Sequence, residues 1–323
     1  MVINVPVYVH GMVIDPQPVF EPDSRMRAFH ARILAAQPGL VAKLAAPIYT
    51  CWGHIPSPLH PRPAMIFGSP APKDDEQLTL AEQHIKQRTE DATGSWNPIT
   101  SLVAKFVSRK IREPIVLFGL GDVAYYCSDG GEERVRAAVY GQILDALQPH
   151  VADPDEIRLH VISHSLGVTV AHDLLYGLFN TMAGYTPGFT MQIFAPPAGA
   201  ILAFNEWRDR ATANPQTLTL GSFTSFASQI PVTLLRKPAL VELMRDGLSL
   251  NPGDIGVKGN ARWQLFYDTK DALAFRTRPL YAPNAAMNEE RVDNSLKPDE
   301  VHMGYWDNAK VIDKTAALIL ARS

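Results

Sequence analysis

The segment 158–178 constrains the fold more than any other part of the chain. Arg158–Ile162 predicts a buried strand, Ser163–Gly167 a tight turn, and Val168–Leu178 an apolar helix. An apolar strand that passes directly into a helix is typical of a parallel sheet with helices over both of its faces. The sequence therefore predicts that this segment is a strand and the helix that follows it in an α/β domain.

The same alternation of strands and helices continues on both sides of that segment. Short apolar runs predict strands at Val2–Val9, Ala46–Trp52, Ile115–Gly121, Phe223–Ala227 and Trp263–Tyr267. Helical spacing of apolar residues predicts helices at Asp23–Ala36, Ser101–Arg112, Glu132–Leu147 and Tyr305–Ala321. The expected fold class is therefore α/β, with a mostly parallel sheet and helices on both faces.

The chain is expected to form a single domain over residues 1–323 with two insertions. The first, at about 54–112, is dense in proline at its start and then charged and helical. The second, at about 176–215, overlaps an uncharged run from Leu174 to Asn205 whose glycines and prolines exclude one long membrane-spanning helix. Two interpretations of this run stay open: a cap that lines an apolar acyl site or meets a lipid surface, and plain core packing or a dimer contact.

Charge and composition exclude several classes of protein. Basic residues number 30 against 33 acidic residues, and no block of like charges disturbs that balance. Nucleic-acid binding needs a basic face, so we expect no nucleic-acid partner. No spacing of histidine or cysteine indicates a structural zinc site, and no glycine-rich phosphate loop is present, so no metal or cofactor is expected. The first ten residues lead straight into a strand without a basic region or cleavage site, which predicts a cytoplasmic protein.

Ser163-His164-Ser165-Leu166-Gly167 lies at the predicted corner between strand and helix. A nucleophilic serine needs such a corner to hold its hydroxyl out, with small residues two positions before and after it. Gly167 meets this requirement fully, and Ser163 is the next smallest polar choice. The helix that begins after Ser165 would offer backbone N–H groups and a positive dipole end to an oxyanion. Ser165 is therefore the candidate nucleophile, and the alternative is an ordinary serine-rich turn.

These residues resemble the α/β-hydrolase family, in particular its lipase and esterase branches. The resemblance covers most of the chain, and it rests on the strand that ends in His10-Gly11-Met12, on Val161–Gly167, on Tyr267–Ala274 and on the region of His302. Its one departure from the family motif is a serine, at position 163, where the first glycine is usual. The resemblance implies an oxyanion hole made by the backbone N–H groups of Met12 and Leu166, with His10 orienting the loop.

The general base should follow the nucleophile in the chain if this topology holds. Nine of the ten histidines lie at or before His172, which leaves His302 as the candidate. His164 adjoins the nucleophile, so the corner is expected to point it elsewhere. His302 lies in a loop directly before the last predicted helix, where the family usually presents its base.

The acid that would orient the base has three candidates. Trp263–Ala274 is an aromatic strand followed by a loop with two aspartates, Asp268 and Asp271. The resemblance places the acid at the second of these, Asp271. Asp268 could instead cap the loop, and Asp254 is a rival at another position. The residues by themselves leave the choice open.

The expected function is that of a serine hydrolase that cleaves a carboxylic ester through an acyl-enzyme. Ser165 would attack, His302 would move the proton and Asp271 would hold the imidazole. The expected partner is a small-molecule ester, with an apolar acyl chain if the uncharged run is a cap. Thioester, lactone and amide cleavage use the same groups. The rival from another class is an inactive binding protein of the same fold, which would have no need of all three residues.

Overall fold

The computed structural model describes residues 2–11, 24–52, 123, 125–127, 130–150, 155–180, 201–234, 238–259, 261–294 and 301–323. Within these residues the strands are β1 (Val2–Val9), β2 (Ile48–Tyr49), β3 (Glu156–His164), β4 (Leu218–Phe226), β5 (Arg262–Tyr267) and β6 (Met287–Arg291). They form one sheet in the order β2-β1-β3-β4-β5-β6, and every neighbouring pair is parallel. The predicted α/β fold class is thereby confirmed.

The described helices connect and cover these strands. They are α1 (Ser24–Ala36), α2 (Gly131–Leu147), α3 (Leu166–Phe179), α4 (Ile201–Thr212), α5 (Ile230–Thr233), α6 (Pro238–Arg245) and α7 (Ala309–Arg322). Short 3-10 helices lie at Pro38–Leu40, Gln148–His150, Pro252–Ile255, Arg278–Leu280 and Gly304–Trp306. In the described ranges, no helix has the length and apolar character needed to cross a bilayer.

The sheet is buried on both faces by two separate groups of apolar side chains. One group joins the sheet to α2, α3 and α4, with Val139, Leu174 and Trp207 among its members. The other joins the opposite face to α1 and α7, through residues such as Phe29 and Val311. Strand β3 contributes to both groups: Ile157, Leu159 and Val161 belong to the first and Ile162 to the second.

Most predicted elements agree with the structure, and the differences have local causes. The closing helix begins at Ala309 and not at Tyr305, because the Asn308 side chain accepts hydrogen bonds from the first N–H groups of α7. The predicted strand Ala46–Trp52 is reduced to Ile48–Tyr49 at the edge of the sheet. The strand β6 was not predicted, because four of its five residues are polar.

Several predicted features lie outside the described residues. These are the helix Ser101–Arg112, the strand Ile115–Gly121 and the whole insertion at 54–112. Of the second predicted insertion, at 176–215, the described residues complete α3 and form α4, and α4 packs against α2 and α3.

The strand ends are aligned across the middle of the sheet. Val9 pairs with Ser163, His164 pairs with Phe226, and Phe226 pairs with Phe266. The residues that follow β1, β3, β4 and β5 therefore leave the sheet at the same edge. In open parallel sheets this carboxyl edge is where ligands bind.

The first turn of α3 lies directly against the end of β1. A Cβ atom at Gly167 would come within 2.1 Å of the His10 carbonyl oxygen and 2.6 Å of the Val9 carbonyl oxygen. Both oxygens belong to the backbone, so neither can move aside without disturbing β1. Only glycine fits at this position.

We expect Gly167→Ala to lower the free energy of unfolding by several kcal/mol, because the new methyl group overlaps backbone atoms of β1. Gly141→Ala is the matched control, since Gly141 lies in α2 with nothing within 4 Å of an added Cβ. That substitution should raise stability by about 0.5–1 kcal/mol. Urea denaturation measures both changes, and equal stability of the two variants would contradict the close approach of α3 to β1.

Candidate active site

Ser165 occupies a strained corner between β3 and α3. Its φ of 56° and ψ of −130° lie in a region that residues other than glycine rarely adopt, at a cost of about 1–3 kcal/mol. Its N–H donates to the Phe226 carbonyl at 3.0 Å, and its carbonyl accepts from the Val168 N–H at 3.0 Å. The corner is therefore fixed between the end of β4 and the first turn of α3.

The loop after β1 approaches this corner closely. A Cβ atom at Gly11 would lie 2.5 Å from the Ser165 Cβ and 3.2 Å from its Oγ. His10 holds the start of the loop: its ring stacks on Trp52, and the Trp52 indole donates to the His10 carbonyl at 3.1 Å. The His10 Nε2 accepts from the Trp52 N–H, so Nδ1 carries the proton and donates to the Gly11 carbonyl at 2.6 Å.

The structure brings Ser165, His302 and Asp271 into one hydrogen-bonded row. The His302 Nε2 lies 2.9 Å from the Ser165 Oγ. The His302 Nδ1 lies 2.9 and 3.1 Å from the two carboxylate oxygens of Asp271. Because a carboxylate only accepts, the imidazole proton is on Nδ1, and the lone pair of Nε2 faces the serine hydroxyl. The arrangement allows the serine proton to pass to Nε2.

The Asp271 carboxylate has a further donor in its own loop. The Leu273 N–H donates to it at 3.0 Å, and the buried Tyr305 hydroxyl lies nearby. Burial raises the pKa of Tyr305, so this hydroxyl keeps its proton. Tyr305 also accepts from the Asp268 N–H at 2.7 Å, and it therefore links the loop after β5 to the loop that carries His302.

Tyr305 was missed by the sequence analysis as a site residue. The sequence pattern places it in the predicted closing helix Tyr305–Ala321. Its position three residues after His302 was the signal that could have found it, because it lies in the same loop segment.

The other two candidate acids have different roles in the structure. Asp268 accepts from the Lys270 N–H at 2.9 Å and from the Asn294 N–H at 2.8 Å, and so it joins the loops that follow β5 and β6. Asp254 lies on a 3-10 helix that precedes β5, whereas Asp271 follows β5. The length of that strand separates the two positions. Burial raises the pKa of Asp254.

Two other histidines near the corner form hydrogen bonds with groups other than Ser165. The His164 Nε2 donates to the backbone carbonyl of His302 at 2.8 Å, and their rings are 4.7 Å apart. Burial, and then the neighbouring His302, lower the pKa of His164 well below its usual range, so it stays neutral and acts as a support for the His302 loop. His172, on α3, forms a hydrogen bond with the Tyr281 hydroxyl.

One of the two predicted oxyanion donors is described. Leu166 is the first residue of α3, where the backbone N–H has no partner four residues earlier in the helix. Met12 follows Gly11 directly, but it lies outside the described residues.

The site shows no sign of a metal centre in the ranges that the structure describes. No three histidine, cysteine, aspartate or glutamate side chains come together there in a way that could hold an ion.

Comparisons with protein-family models, with curated proteins and with solved structures found no match to this chain. The interpretation of the site therefore rests on its geometry.

Ser163, two residues before the corner, is completely buried on β3, and the described residues offer its hydroxyl no hydrogen-bond partner. We expect Ser163→Ala to raise the free energy of unfolding by about 1 kcal/mol, because it removes an unsatisfied hydroxyl and keeps the Cβ. Ser222→Ala is the matched control, since the Ser222 hydroxyl lies 2.8 Å from the Nδ1 of buried His160.

The control should lower stability by about 1–3 kcal/mol, because it leaves a buried nitrogen atom without its partner. Denaturant unfolding of both variants checks the pair. Equal destabilisation by the two substitutions would show that the Ser163 hydroxyl is satisfied in solution.

Proposed function

We propose that this protein is a serine hydrolase that cleaves a carboxylic ester through an acyl-enzyme. The observation that carries the proposal is the row of hydrogen bonds from Asp271 through His302 to Ser165. It lies at the carboxyl edge of a parallel sheet, on a corner whose strained backbone is held from both sides. The resemblance to the α/β-hydrolase family supports the same assignment.

In the first half of the proposed reaction the Ser165 Oγ attacks the ester carbonyl carbon. Its proton passes to the His302 Nε2, and the carbonyl π electrons move to the oxygen. The Leu166 N–H, and that of Met12 by resemblance, would stabilise this oxyanion. When the carbon–oxygen bond to the alcohol breaks, His302 returns the proton to the leaving oxygen. The acyl group stays on Ser165.

In the second half, water attacks the acyl-enzyme and His302 takes its proton. The bond between the acyl carbon and the Ser165 Oγ then breaks, and the proton returns to that oxygen. Asp271 keeps the imidazole in the required tautomer and stabilises its charged form throughout. Each step uses only side chains and backbone groups of the chain, together with water.

The substrate is a small-molecule ester in this proposal, and the same groups would serve a thioester, a lactone or an amide. An apolar acyl chain is proposed on the uncharged run Leu174–Asn205. Its residues 181–200, with the aromatic side chains at 189 and 194, lie outside the described residues. The alternative from another class is a binding protein of this fold without activity. Turnover of p-nitrophenyl esters separates the two.

A fluorophosphonate should label Ser165, because phosphonylation of the hydroxyl, with loss of fluoride, imitates acylation. Ser165→Ala should abolish labelling and lower ester turnover by at least about a thousandfold. Ser249→Ala serves as the control, since Ser249 lies in a loop before β5 and its hydroxyl donates to the Leu280 carbonyl. Peptide mass mapping identifies the labelled residue, and undiminished labelling of Ser165→Ala would remove this serine from the mechanism.

Asp271→Asn should lower kcat by about three to four orders of magnitude, because the amide can hold His302 in the wrong tautomer. Asp268→Asn and Asp254→Asn should cost far less activity, since neither carboxylate bonds His302 in the structure. Steady-state kinetics on one ester, with melting temperatures for each variant, make the comparison. A crippling effect of Asp254→Asn in a folded protein would show that the acid is misassigned.

A further inference from the structure

A second side chain, in addition to His302, contacts the oxygen of Ser165. The amide nitrogen Nε2 of Gln229 donates to the Ser165 Oγ at 3.2 Å, from a residue that is only 2% exposed. The serine oxygen therefore has two protein partners, the Gln229 amide and the His302 Nε2. An amide NH2 group can only donate, so the serine accepts from Gln229 and donates its own proton to His302.

Local secondary structure gives no reason for glutamine at this position. Gln229 immediately precedes α5, a place where serine, threonine, asparagine and aspartate are preferred because their side chains cap the helix. The Gln229 side chain makes no capping hydrogen bond, and the Ile230 N–H is instead bonded by the Ser228 hydroxyl. The amide is directed away from α5 and toward Ser165.

The backbone of Gln229 is fixed relative to the nucleophile helix. Its carbonyl accepts from the Thr233 N–H at 3.0 Å and from the Thr233 hydroxyl at 3.1 Å. The Thr233 hydroxyl also lies 2.9 Å from that of Thr169 on α3. Since Ser165 directly precedes α3, the two helices hold the amide and the serine oxygen at a set distance.

The loop before Gln229 is held at several points. Ala227 has a φ of 54°, an unfavourable conformation for alanine, and its N–H donates to the Phe266 carbonyl. The Ser228 carbonyl accepts from the Phe275 N–H at 3.0 Å, and the Ser228 hydroxyl accepts from the Thr277 hydroxyl at 2.8 Å. These contacts hold the strained Ala227 and its neighbour Ser228 in place. They thereby fix the position from which the Gln229 side chain reaches Ser165.

We propose that Gln229 is a further catalytic residue of this site, and this inference rests on the proposed serine-hydrolase function. Its amide holds the Ser165 hydroxyl in line with His302 and stabilises the negative charge that develops on Oγ. In acylation, an Oγ electron pair forms the bond to the acyl carbon while the Oγ proton moves to His302. In deacylation, the electrons of that bond return to Oγ, which regains a proton from His302. The Gln229 proton stays on its nitrogen in both steps.

Two substitutions by side chains of nearly the same size as glutamine separate the hydrogen bond that Gln229 donates from the packing of its side chain. Gln229→Met keeps the length of the side chain but removes the donor. Gln229→Glu keeps the shape and, when ionised, places an acceptor and a negative charge beside Oγ. Gln264→Met is the matched control, because Gln264 lies on β5 and pairs with Asn288 at the surface. The second-order rate of fluorophosphonate labelling at Ser165 measures attack by Oγ without deacylation.

We expect Gln229→Met to label about tenfold more slowly than the unchanged protein and Gln229→Glu about a hundredfold more slowly. The control should label at the unchanged rate. The ratio of the Gln229→Glu rate to the unchanged rate should rise as the pH falls, because the protonated carboxyl regains an O–H donor. Packing damage would not give that pH dependence. With a p-nitrophenyl ester, kcat should fall while KM changes little.

Labelling of both Gln229 variants at the unchanged rate would overturn the inference and leave the proposed function standing. Equal losses in the two variants, independent of pH, would assign Gln229 a packing role and would also overturn it. If Gln229→Met melts below the assay temperature, the pH dependence of Gln229→Glu decides the question. An unchanged protein that neither labels at Ser165 nor turns over esters would refute the proposed function itself.

Discussion

The close contact between the first turn of α3 and the end of β1 is the constraint on which the site depends. A side chain at position 167 would collide with the Val9 and His10 carbonyls, and a side chain at position 11 would collide with Ser165, so both positions require glycine. This contact forces the chain from β3 into α3 within a single residue. Ser165 takes the strained conformation of that residue, and the aligned ends of β1, β3 and β4 hold it there.

The other side chains of the site lie in loops that follow neighbouring strands. Asp271 follows β5, His302 follows β6, and Gln229 follows β4, so three separate loops contribute to one buried group of polar residues. Buried hydrogen bonds are electrostatically stronger than exposed ones, and unpaired buried groups are costly. His164 and Tyr305 meet that requirement, because His164 donates to the His302 carbonyl and Tyr305 accepts from the Asp268 N–H, so that both hold the loops that position the imidazole.

Sequence patterns predicted the strands and helices in which buried apolar residues recur at regular spacing. Strand β1 and the strand, corner and helix around Ser165 appear close to the predicted bounds, because apolar periodicity reports burial directly. The patterns did not predict β6, whose polar residues suit a half-exposed edge strand. They also placed the start of the last helix too early, since the cap at Asn308 is a local side-chain contact.

For the candidate site, the sequence by itself determined the corner, and chain order under the family resemblance left His302 as the candidate base. Only the tertiary structure separated Asp271 from Asp268 and brought Gln229 to the serine oxygen. Sequence spacing reports which face of a strand or helix is buried. The hydrogen-bond partner of a loop side chain depends on distances between segments far apart in the chain, here 31 residues for Asp271 and His302 and 64 for Ser165 and Gln229. Those distances are set by the register of the sheet and the packing of α3.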